Sequence, residues 1–265
     1  MTSPLPRASS GGGLGRAFRY LYRVPLLLLH IFVLLPLVLL GMVPLWAGIR
    51  VGGERLEHFG IRKWSAGLMR IFGFRLRRIG TPLPDPVLFV ANHVSWVDIE
   101  MLHSQRMMGF VAKQEIRGWP VVGWLTARGE TIFHQRGSQE SLGDVLQQMV
   151  ERLREGHSVG AFPEGGTRDG RELGPFHARL FYASVEANVA VQPVALCYGT
   201  GGDAQTIVAF AKRESFAQNF WRLLGEPART VDVIYLTPIL PGEAEGRRRI
   251  AELARERIDA ALHGP

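Results

Sequence analysis

Residues 87–98 read Val-Leu-Phe-Val-Ala-Asn-His-Val-Ser-Trp-Val-Asp, and this stretch decides the fold class. The apolar run at its start, residues 87–90, has the length and the branched side chains of a buried strand. Asn92 interrupts the run and is predicted to cap a following helix. His93 therefore stands where a strand ends and a helix begins, a common position for reactive groups in α/β sheets.

Asp98 follows His93 by five residues. If the first helical turn is irregular, the Asp98 carboxylate can reach one imidazole nitrogen and fix the tautomer, leaving the other nitrogen free to act as a base. Taken alone, the pair fits an ordinary hydrogen bond at a helix start better, because both residue types are common there. The rest of the chain has to decide between the two interpretations.

The composition allows one large domain, or a domain with an appendage, in 265 residues that are 46% hydrophobic. The single cysteine, Cys197, excludes an internal disulfide, and its position at the end of an apolar run is typical of a packed thiol. A net charge of +7 points to an anionic partner: nucleic acid, a phospholipid surface or a phosphorylated substrate. The position of the basic residues along the chain decides between these partners.

The N-terminal part divides into a basic segment and an apolar one. Residues 1–23 are rich in Ser, Gly and Arg and are predicted to be flexible. Residues 24–49 hold His30 as their only conventionally polar side chain, and such a run can cross a hydrocarbon core of about 30 Å. It is too long for the apolar part of a secretory signal. Pro36 and Pro44 should kink a helix, so a bent or re-entrant hairpin competes with a straight span.

The stretch after the apolar run is strongly basic. Residues 50–78 hold eight Lys or Arg and two acids, so we expect the rest of the chain on the cytoplasmic side of the inner membrane. Residues 56–71 place apolar side chains at helical spacing among basic ones. They form either a helix on an anionic lipid surface or a helix packed on the domain with a solvated basic face. Basic charge beside a membrane segment favours phospholipid over nucleic acid as the partner.

Residues 24–72 are thus predicted to be a membrane-associated helical segment, and residues 73–265 a single globular domain. In that domain short β-like runs alternate with helices. The clearest helix covers residues 138–155, capped by Ser138 and ended by Gly156, and a second covers residues 243–262. The alternation predicts an α/β sandwich with a mixed, largely parallel sheet. Its strands are expected at residues 74–79, 87–90, 109–112, 131–134, 158–162, 190–196, 206–210 and 231–236.

A second chemical stretch, residues 162–170, reads Phe-Pro-Glu-Gly-Gly-Thr-Arg-Asp-Gly directly after a predicted strand. Its glycines let the backbone approach a ligand, Thr167 offers a hydroxyl, and Arg168 offers a fork suited to phosphate. It lacks the Lys and the spacing of a nucleotide-binding P-loop, so ATP is not expected.

Several predicted strands end in a reactive or cationic side chain: His93, Lys113, Arg136 and Arg168. If those ends share one edge of the sheet, a base and up to three cations converge on one cleft. Such a cleft suits a phosphorylated nucleophile better than a neutral one.

Four blocks in this order resemble the glycerolipid acyltransferase superfamily, which contains the 1-acylglycerol-3-phosphate and related lysophospholipid acyltransferases. They are Asn-His-x-x-x-x-Asp at 92–98, an apolar strand ending Phe-x-x-Arg at 132–136, a Phe-Pro-Glu-Gly-Thr-Arg-like loop at 162–168, and an apolar strand with Pro at 191–194. The third block departs from the family pattern, since it carries an extra glycine and has Asp169 where a serine is usual. That loop is thought to handle the acceptor's polar head, so the departure bears on the acceptor.

The resemblance implies an O-acyltransferase that moves a fatty acyl group from acyl-CoA or acyl carrier protein to the free hydroxyl of a lyso-lipid. The expected acceptor is 1-acylglycerol-3-phosphate; another lysophospholipid or a lyso-amino-acid (ornithine) lipid is the alternative. His93 is the expected general base and Asp98 its orienting partner, with no metal and no cofactor. The residues expected to bind substrate are Lys113, Arg136, Glu164, Gly165, Gly166, Thr167 and Arg168.

Three rival interpretations stay open. A hydrolase would use Ser95 as its nucleophile, although no Gly-x-Ser-x-Gly elbow surrounds it. A metal site could combine His93, Asp98 and His103, but further ligands are not evident. A non-catalytic protein of the lipid surface would rely on the basic flank alone, and it would leave the four blocks unexplained.

Overall fold

The computed structural model describes residues 13–46, 48–118, 130–134 and 139–263. The helices are α1 Gly13–Leu29, α2 Leu35–Gly41, α3 Leu56–Ile71, α4 Val97–Gln105, α5 Gln139–Arg154, α6 Tyr182–Ala187, α7 Gln205–Val208, α8 Phe216–Leu224 and α9 Gly246–His263. The strands are β1 Arg50–Val51, β2 Glu54–Arg55, β3 Phe74–Ile79, β4 Val87–Ala91, β5 Gly109–Lys113, β6 Ile132–His134, β7 Val159–Ala161, β8 Ala190–Tyr198 and β9 Arg229–Tyr235. β1 and β2 form a separate hairpin.

The central sheet has seven strands in the order β3-β9-β8-β4-β7-β5-β6. Only β8 and β9 pair antiparallel, and every other neighbouring pair is parallel. The predicted α/β fold with a mixed, largely parallel sheet is therefore confirmed. β4 lies between β7 and β8 and runs parallel to both, so the carboxyl ends of these three strands meet at one edge.

Side chains of β4 alternate between two cores, as a strand buried on both faces requires. Phe89 and Ala91 pack with residues of α3, α4 and α8, whereas Leu88 and Val90 pack with residues of α5, α6 and α9. Helices thus cover both faces of the sheet. This is the layered sandwich that the alternation of strands and helices predicts.

The N-terminal helix continues from Gly13 to Gly41 and is long and apolar enough to cross a membrane by length and composition. It begins inside the range 1–23 that the sequence predicts to be flexible. A π-helical stretch, His30–Leu34, joins α1 to α2. Pro36 lies in the first turn of α2, and its ring would clash with the preceding turn of a regular α-helix. Only 17% of the most apolar 18 residues are buried inside the protein.

One face of this helix is nevertheless held by the domain. Arg23 is buried and donates to the backbone carbonyls of Leu224 and Glu226, at 2.8 and 2.7 Å. His30 stacks on Trp64 of α3, with ring centroids 5.0 Å apart. α3 in turn buries Leu68 and Met69 in the core, so residues 56–71 pack on the domain, as one of the two interpretations predicts.

One predicted strand is wrong: residues 206–210 do not join the sheet, because α7 occupies most of that range. The Thr-Ile-Val-Ala-Phe run reads as a strand because its residues are β-branched and apolar, but such propensity yields to context. Here the Gln205 side chain bonds the Leu196 carbonyl and the Tyr198 amide of β8. This anchor fixes a single helical turn whose Val208 is buried in the core.

Candidate active site

His93 follows β4 and meets Asp98 at the start of α4. Nδ1 of His93 lies 2.7 Å from Oδ2 of Asp98. The segment between them is an irregular turn, since α4 begins only at Val97. The five-residue spacing therefore brings the two side chains together as predicted. Because Nδ1 faces the carboxylate, Nε2 is the nitrogen left to exchange a proton with a ligand.

The Asp98 carboxylate is fully buried and accepts hydrogen bonds on both oxygens. Besides facing His93, Oδ2 accepts the backbone amides of Val94 and Ser95, at 2.7 and 2.9 Å. Oδ1 accepts the hydroxyl of Tyr198 at 2.5 Å. Burial, followed by the neighbouring Asp98 carboxylate, raises the pKa of Tyr198 well above its usual range, so this hydroxyl remains a donor at neutral pH.

Asn92 does not cap α4, which corrects the sequence interpretation. Its amide pairs with the backbone of β8: Nδ2 donates to the Leu196 carbonyl at 3.0 Å, and Oδ1 accepts the Leu196 amide at 2.8 Å. The side chain extends the ladder between β4 and β8 by one residue pair beyond Ala91 and Val194. A buried Asn needs such partners, and this pairing ties the residue before His93 to the sheet.

The imidazole of His93 is held flat against an aromatic stack. Its centroid lies 4.0 Å from that of Phe162, with 13° between the planes. Phe162 stacks in turn on Phe110 at 5.5 Å. The His93 side chain keeps 14% exposure, so the ring is positioned by packing and still reachable.

The loop after β7 is tied to the His93 turn through Glu164. Oε1 accepts the His93 amide and Oε2 accepts the Gly174 amide, both at 2.8 Å. The backbone amide of Arg168 donates to the His93 carbonyl at 2.8 Å. Burial raises the pKa of Glu164, and the two amides and Arg168 oppose that shift. Glu164 therefore organises the loop around His93.

Beside this loop lies a cavity of about 190 Å³ whose wall includes Asn92, Val94, Glu164 and Arg168. The Arg168 guanidinium is 3.6 Å from Glu164 and packs on the backbone of Gly174. Gly165 has φ +72°, and a Cβ there would come within 2.9 Å of the His177 ring. A side chain at 165 would therefore strain the loop.

The remaining predicted residues divide by position. Gly166 and Thr167 lie in the same turn but not in the wall of the cavity. Lys113 ends β5, the second strand from β4. Arg136 lies outside the described residues, as does Ser138, the predicted cap. Of the four strand ends expected to converge, the structure brings His93 and Arg168 together.

Two of the rival interpretations, the hydrolase and the metal site, do not fit these side chains. Ser95 is fully buried and its Oγ accepts the Val97 amide at 3.2 Å, so a substrate carbonyl has no access to this hydroxyl. His103 packs on Phe110, and its Nε2 contacts the Met108 carbonyl at 3.1 Å. Burial lowers the pKa of His103, as for a neutral core histidine.

Comparison with known proteins shows the family of the chain. The family model described as Acyltransferase matches residues 76–197, which contain both the His93–Asp98 turn and the Glu164 loop. A lyso-ornithine lipid O-acyltransferase of Pseudomonas aeruginosa is 36% identical over 90% of this chain and 94% of that protein. The chain belongs to the acyltransferase family. A 1-acyl-sn-glycerol-3-phosphate acyltransferase of Neisseria gonorrhoeae is 31% identical to this acyltransferase over 72% of the chain and 74% of that protein.

Among solved structures, the 1-acyl-sn-glycerophosphate acyltransferase PlsC of Thermotoga maritima superimposes with a TM-score of 0.71. The match covers 94% of this acyltransferase and 93% of that chain, at 18% identity. It confirms the fold.

Sequence reasoning missed several residues of the acyltransferase site. Tyr198 reaches Asp98 from 100 positions away, and the available signal was a Tyr at the end of a mostly apolar strand. The stacking role of Phe162 could have been found from its place directly after a strand. Gln205 and the C-terminal end of α9 reach the cavity wall only because of the tertiary fold, and no local sequence pattern predicts them.

Proposed function

We propose that this acyltransferase moves a fatty acyl group from a thioester, acyl-CoA or acyl carrier protein, to the free hydroxyl of a lyso-lipid, with His93 as general base. The observation that carries the proposal is the 2.7 Å contact between His93 and Asp98 in a chain of this family. The contact leaves Nε2 of His93 facing outward from the dyad, where a hydroxyl can present its proton.

The reaction balances without a covalent enzyme intermediate. Nε2 of His93 takes the hydroxyl proton as the hydroxyl oxygen attacks the thioester carbonyl carbon. The carbon–sulfur bond of the tetrahedral adduct then breaks, and the departing sulfur receives the proton from His93. The Asp98 carboxylate stabilises the imidazolium between these steps. An ester and a free thiol are the products.

A lyso-ornithine lipid is the acceptor that the relatives favour. The Pseudomonas aeruginosa protein spans almost the whole chain, and a second lyso-ornithine lipid O-acyltransferase, from Rhodobacter capsulatus, is 28% identical over 85% of it. The third block supports the same acceptor, because Asp169 adds a carboxylate beside Arg168 where the family pattern usually has a serine.

A second candidate acceptor is 1-acylglycerol-3-phosphate, the acceptor expected from the sequence. It is favoured by the relatives that act on this lipid and by the Arg168 fork, whose guanidinium has no hydrogen-bond acceptor among the described residues.

The N-terminal helix is proposed to lie along the cytoplasmic face of the membrane. It touches the domain from Arg16, which pairs with Glu226, to Val38, which packs over Gly60; this is about 33 Å of helix at about 1.5 Å per residue. A perpendicular span would pull the basic α3 into a hydrocarbon core of about 30 Å. The outward face is apolar and suits lipid: Leu14, Phe18, Leu21, Leu26, Leu29, Phe32, Val33, Leu37 and Leu40.

A thiol-release assay on the purified full chain tests the proposal. Acyl-CoA and acyl carrier protein thioesters are each offered with lyso-ornithine lipid, with 1-acylglycerol-3-phosphate, with a lysophospholipid and with no acceptor. We expect release that depends on a lyso-lipid, is fastest with lyso-ornithine lipid and yields the diacyl product by mass spectrometry. Release of equal rate without acceptor would indicate a hydrolase, and release only with the phosphate lipid would select the second acceptor.

A further inference from the structure

The cavity beside the Glu164 loop carries charges of both signs. Two guanidinium groups, of Arg168 and Arg171, and two carboxylates, of Glu164 and Glu172, contribute to its wall. Gln205 and the C-terminal end of α9 also contribute to the wall. These four formal charges sum to zero; Arg168 lies 3.6 Å from Glu164, whereas Glu172 has no cationic partner among the described residues, a pattern that suits a zwitterion better than a phosphate dianion.

These charged groups differ in how many hydrogen bonds and ion pairs they already make within the protein. Both oxygens of Glu164 are taken by backbone amides. Glu172 is exposed, and no donor among the described residues bonds its carboxylate. Arg171 is held at the rim by Asp169, which accepts its backbone amide at 3.1 Å and lies 3.8 Å from its guanidinium. Asp169 is the residue that departs from the family's usual serine, so the departure positions a cation at this cavity.

We propose that this cavity binds the amino-acid head group of the acceptor, with Arg168 and Arg171 on its carboxylate and Glu172 on its side-chain ammonium group. The inference rests on the proposed function and adds how the acceptor is selected. An amide-linked ornithine carries one carboxylate and one ammonium, which match the two guanidinium groups and the Glu172 carboxylate of the wall. A phosphate would meet the same two guanidinium groups but would face Glu172 without compensation.

The cavity is placed to hold a head group and not the reacting hydroxyl. Its wall contains Asn92 and Val94, the two neighbours of His93, but the imidazole is not among the lining residues. Glu164 connects the two places, because one oxygen bonds the His93 amide and the other the Gly174 amide behind Arg168. A head group bound here therefore fixes the acceptor next to the catalytic turn.

The test compares Glu172→Gln and Arg171→Gln with the wild-type full chain in the thiol-release assay. Three acceptors are used: lyso-ornithine lipid, the same lipid with its side-chain amine acetylated, and 1-acylglycerol-3-phosphate. Glu252→Gln and Arg249→Gln are the matched controls, since these residues form an exposed pair at 3.2 Å on α9. Circular dichroism and thermal unfolding check that every variant is folded.

We expect Glu172→Gln to raise KM for lyso-ornithine lipid about fivefold, as for a partly exposed ion pair. For the wild type, KM for the acetylated lipid should exceed KM for lyso-ornithine lipid by the same factor. For Glu172→Gln, acetylation of the lipid should not raise KM further. Arg171→Gln should raise KM for lyso-ornithine lipid, and neither control should change it. Equal effects of Glu172→Gln on all three acceptors, or none on lyso-ornithine lipid, would overturn the head-group site while leaving the acyl transfer standing. A wild type inactive on lyso-ornithine lipid but active on the phosphate lipid would overturn both the proposed acceptor and this site.

Discussion

At the scale of single residues, the site depends on how completely Asp98 is bonded. The imidazole nitrogen, two backbone amides and the Tyr198 hydroxyl surround one buried carboxylate. A buried charge is tolerable only with such partners. They also allow the carboxylate a single orientation, so the tautomer and the angle of His93 are set before substrate binds.

Replacing Asp98 by Asn keeps the size of the side chain but removes its charge. The amide oxygen introduced by Asp98→Asn could still accept from Nδ1 of His93, yet it would stabilise the imidazolium far less. We expect kcat to fall about 10²- to 10⁴-fold with little change in KM for the thioester. Steady-state thiol release measures this, and a loss of less than about tenfold in a folded variant would show that Asp98 is not the partner of the base.

Tyr198 acts on His93 only through Asp98, so its removal should weaken positioning. Tyr198→Phe is expected to lower kcat about tenfold and to leave KM for both substrates within about twofold. Tyr235→Phe is a matched control, because Tyr235 is a buried tyrosine of β9 whose hydroxyl has no hydrogen-bond partner among the described residues. Equal losses in the two variants would mean that Tyr198 serves packing alone.

The sequence predicts the His93–Asp98 contact because both partners lie in one turn, where spacing limits the geometry. It does not predict the Asn92 pairing with Leu196 or the Tyr198 bond, because both depend on β8 lying beside β4. Strand order in a sheet is set by the packing of the whole domain, and no local pattern encodes it.

At the scale of elements, α8 links the N-terminal helix to the catalytic turn. Its C-terminal carbonyls accept from three side chains of α1: Tyr20 bonds Trp221, Arg23 bonds Leu224, and Arg19 bonds Gly225. Cations are favourable at a helix C-terminus. In the N-terminal half of α8, Asn219 accepts a hydrogen bond from the indole N–H of Trp96 at 3.0 Å. Trp96 lies three residues after His93, so α8 also contacts the catalytic turn.

Glu214 fixes the start of α8 and makes the stability of this element depend on pH. Burial opposes ionisation, but hydrogen bonds from Arg222, the Ala211 amide and Asn219 outweigh it and lower the pKa of Glu214 to about 2. A lowered carboxyl pKa stabilises the fold above the unfolded value of about 4.3 and loses that contribution as pH falls toward 2.

We therefore expect Glu214→Gln to lower the free energy of unfolding by roughly 1 kcal/mol at pH 7, an amount reduced by solvent screening. The difference from wild type should shrink between pH 4.5 and about 2. Thermal unfolding of both proteins across this range measures it, with Glu252→Gln as an exposed control. A difference that stays constant down to about pH 2 would assign the loss to packing.

Helices and strands of the domain follow from the sequence where the period is long and clear. The helix expected at 138–155 is α5, and Gly156 follows it with φ +87° as a glycine at a helix end should. The strand expected at 206–210 fails because a run of five residues carries too little periodicity to separate a strand from a helical turn.

At the scale of the whole molecule, the N-terminal helix and the acyltransferase domain form one packed unit. Leu27 and Leu35 of the helix are buried, while its opposite face exposes apolar side chains. The sequence predicts the apolar segment from its length, but it leaves the topology open. The contacts of Arg23 and His30 with α8 and α3 are what favour a helix along the membrane surface.

Adding charge to the exposed apolar face should release the protein from lipid. Phe32→Glu, at a side chain 71% exposed, is expected to reduce flotation with phosphatidylglycerol-containing vesicles several-fold. Val185→Glu is the control, since Val185 is 50% exposed on α6, in the layer on the opposite side of the sheet. Equal flotation of both variants would place the lipid contact elsewhere on the molecule.

The central claim is that Nε2 of His93 carries the proton in acyl transfer, and His93→Ala tests it most directly. Thiol release and diacyl product are measured for wild type and variant with lyso-ornithine lipid and with 1-acylglycerol-3-phosphate, after circular dichroism has verified folding. We predict at least a 100-fold loss of kcat with an unchanged spectrum, at the low end of general-base catalysis, roughly 10²- to 10⁴-fold. A folded His93→Ala protein that turns over near the wild-type rate would contradict the mechanism.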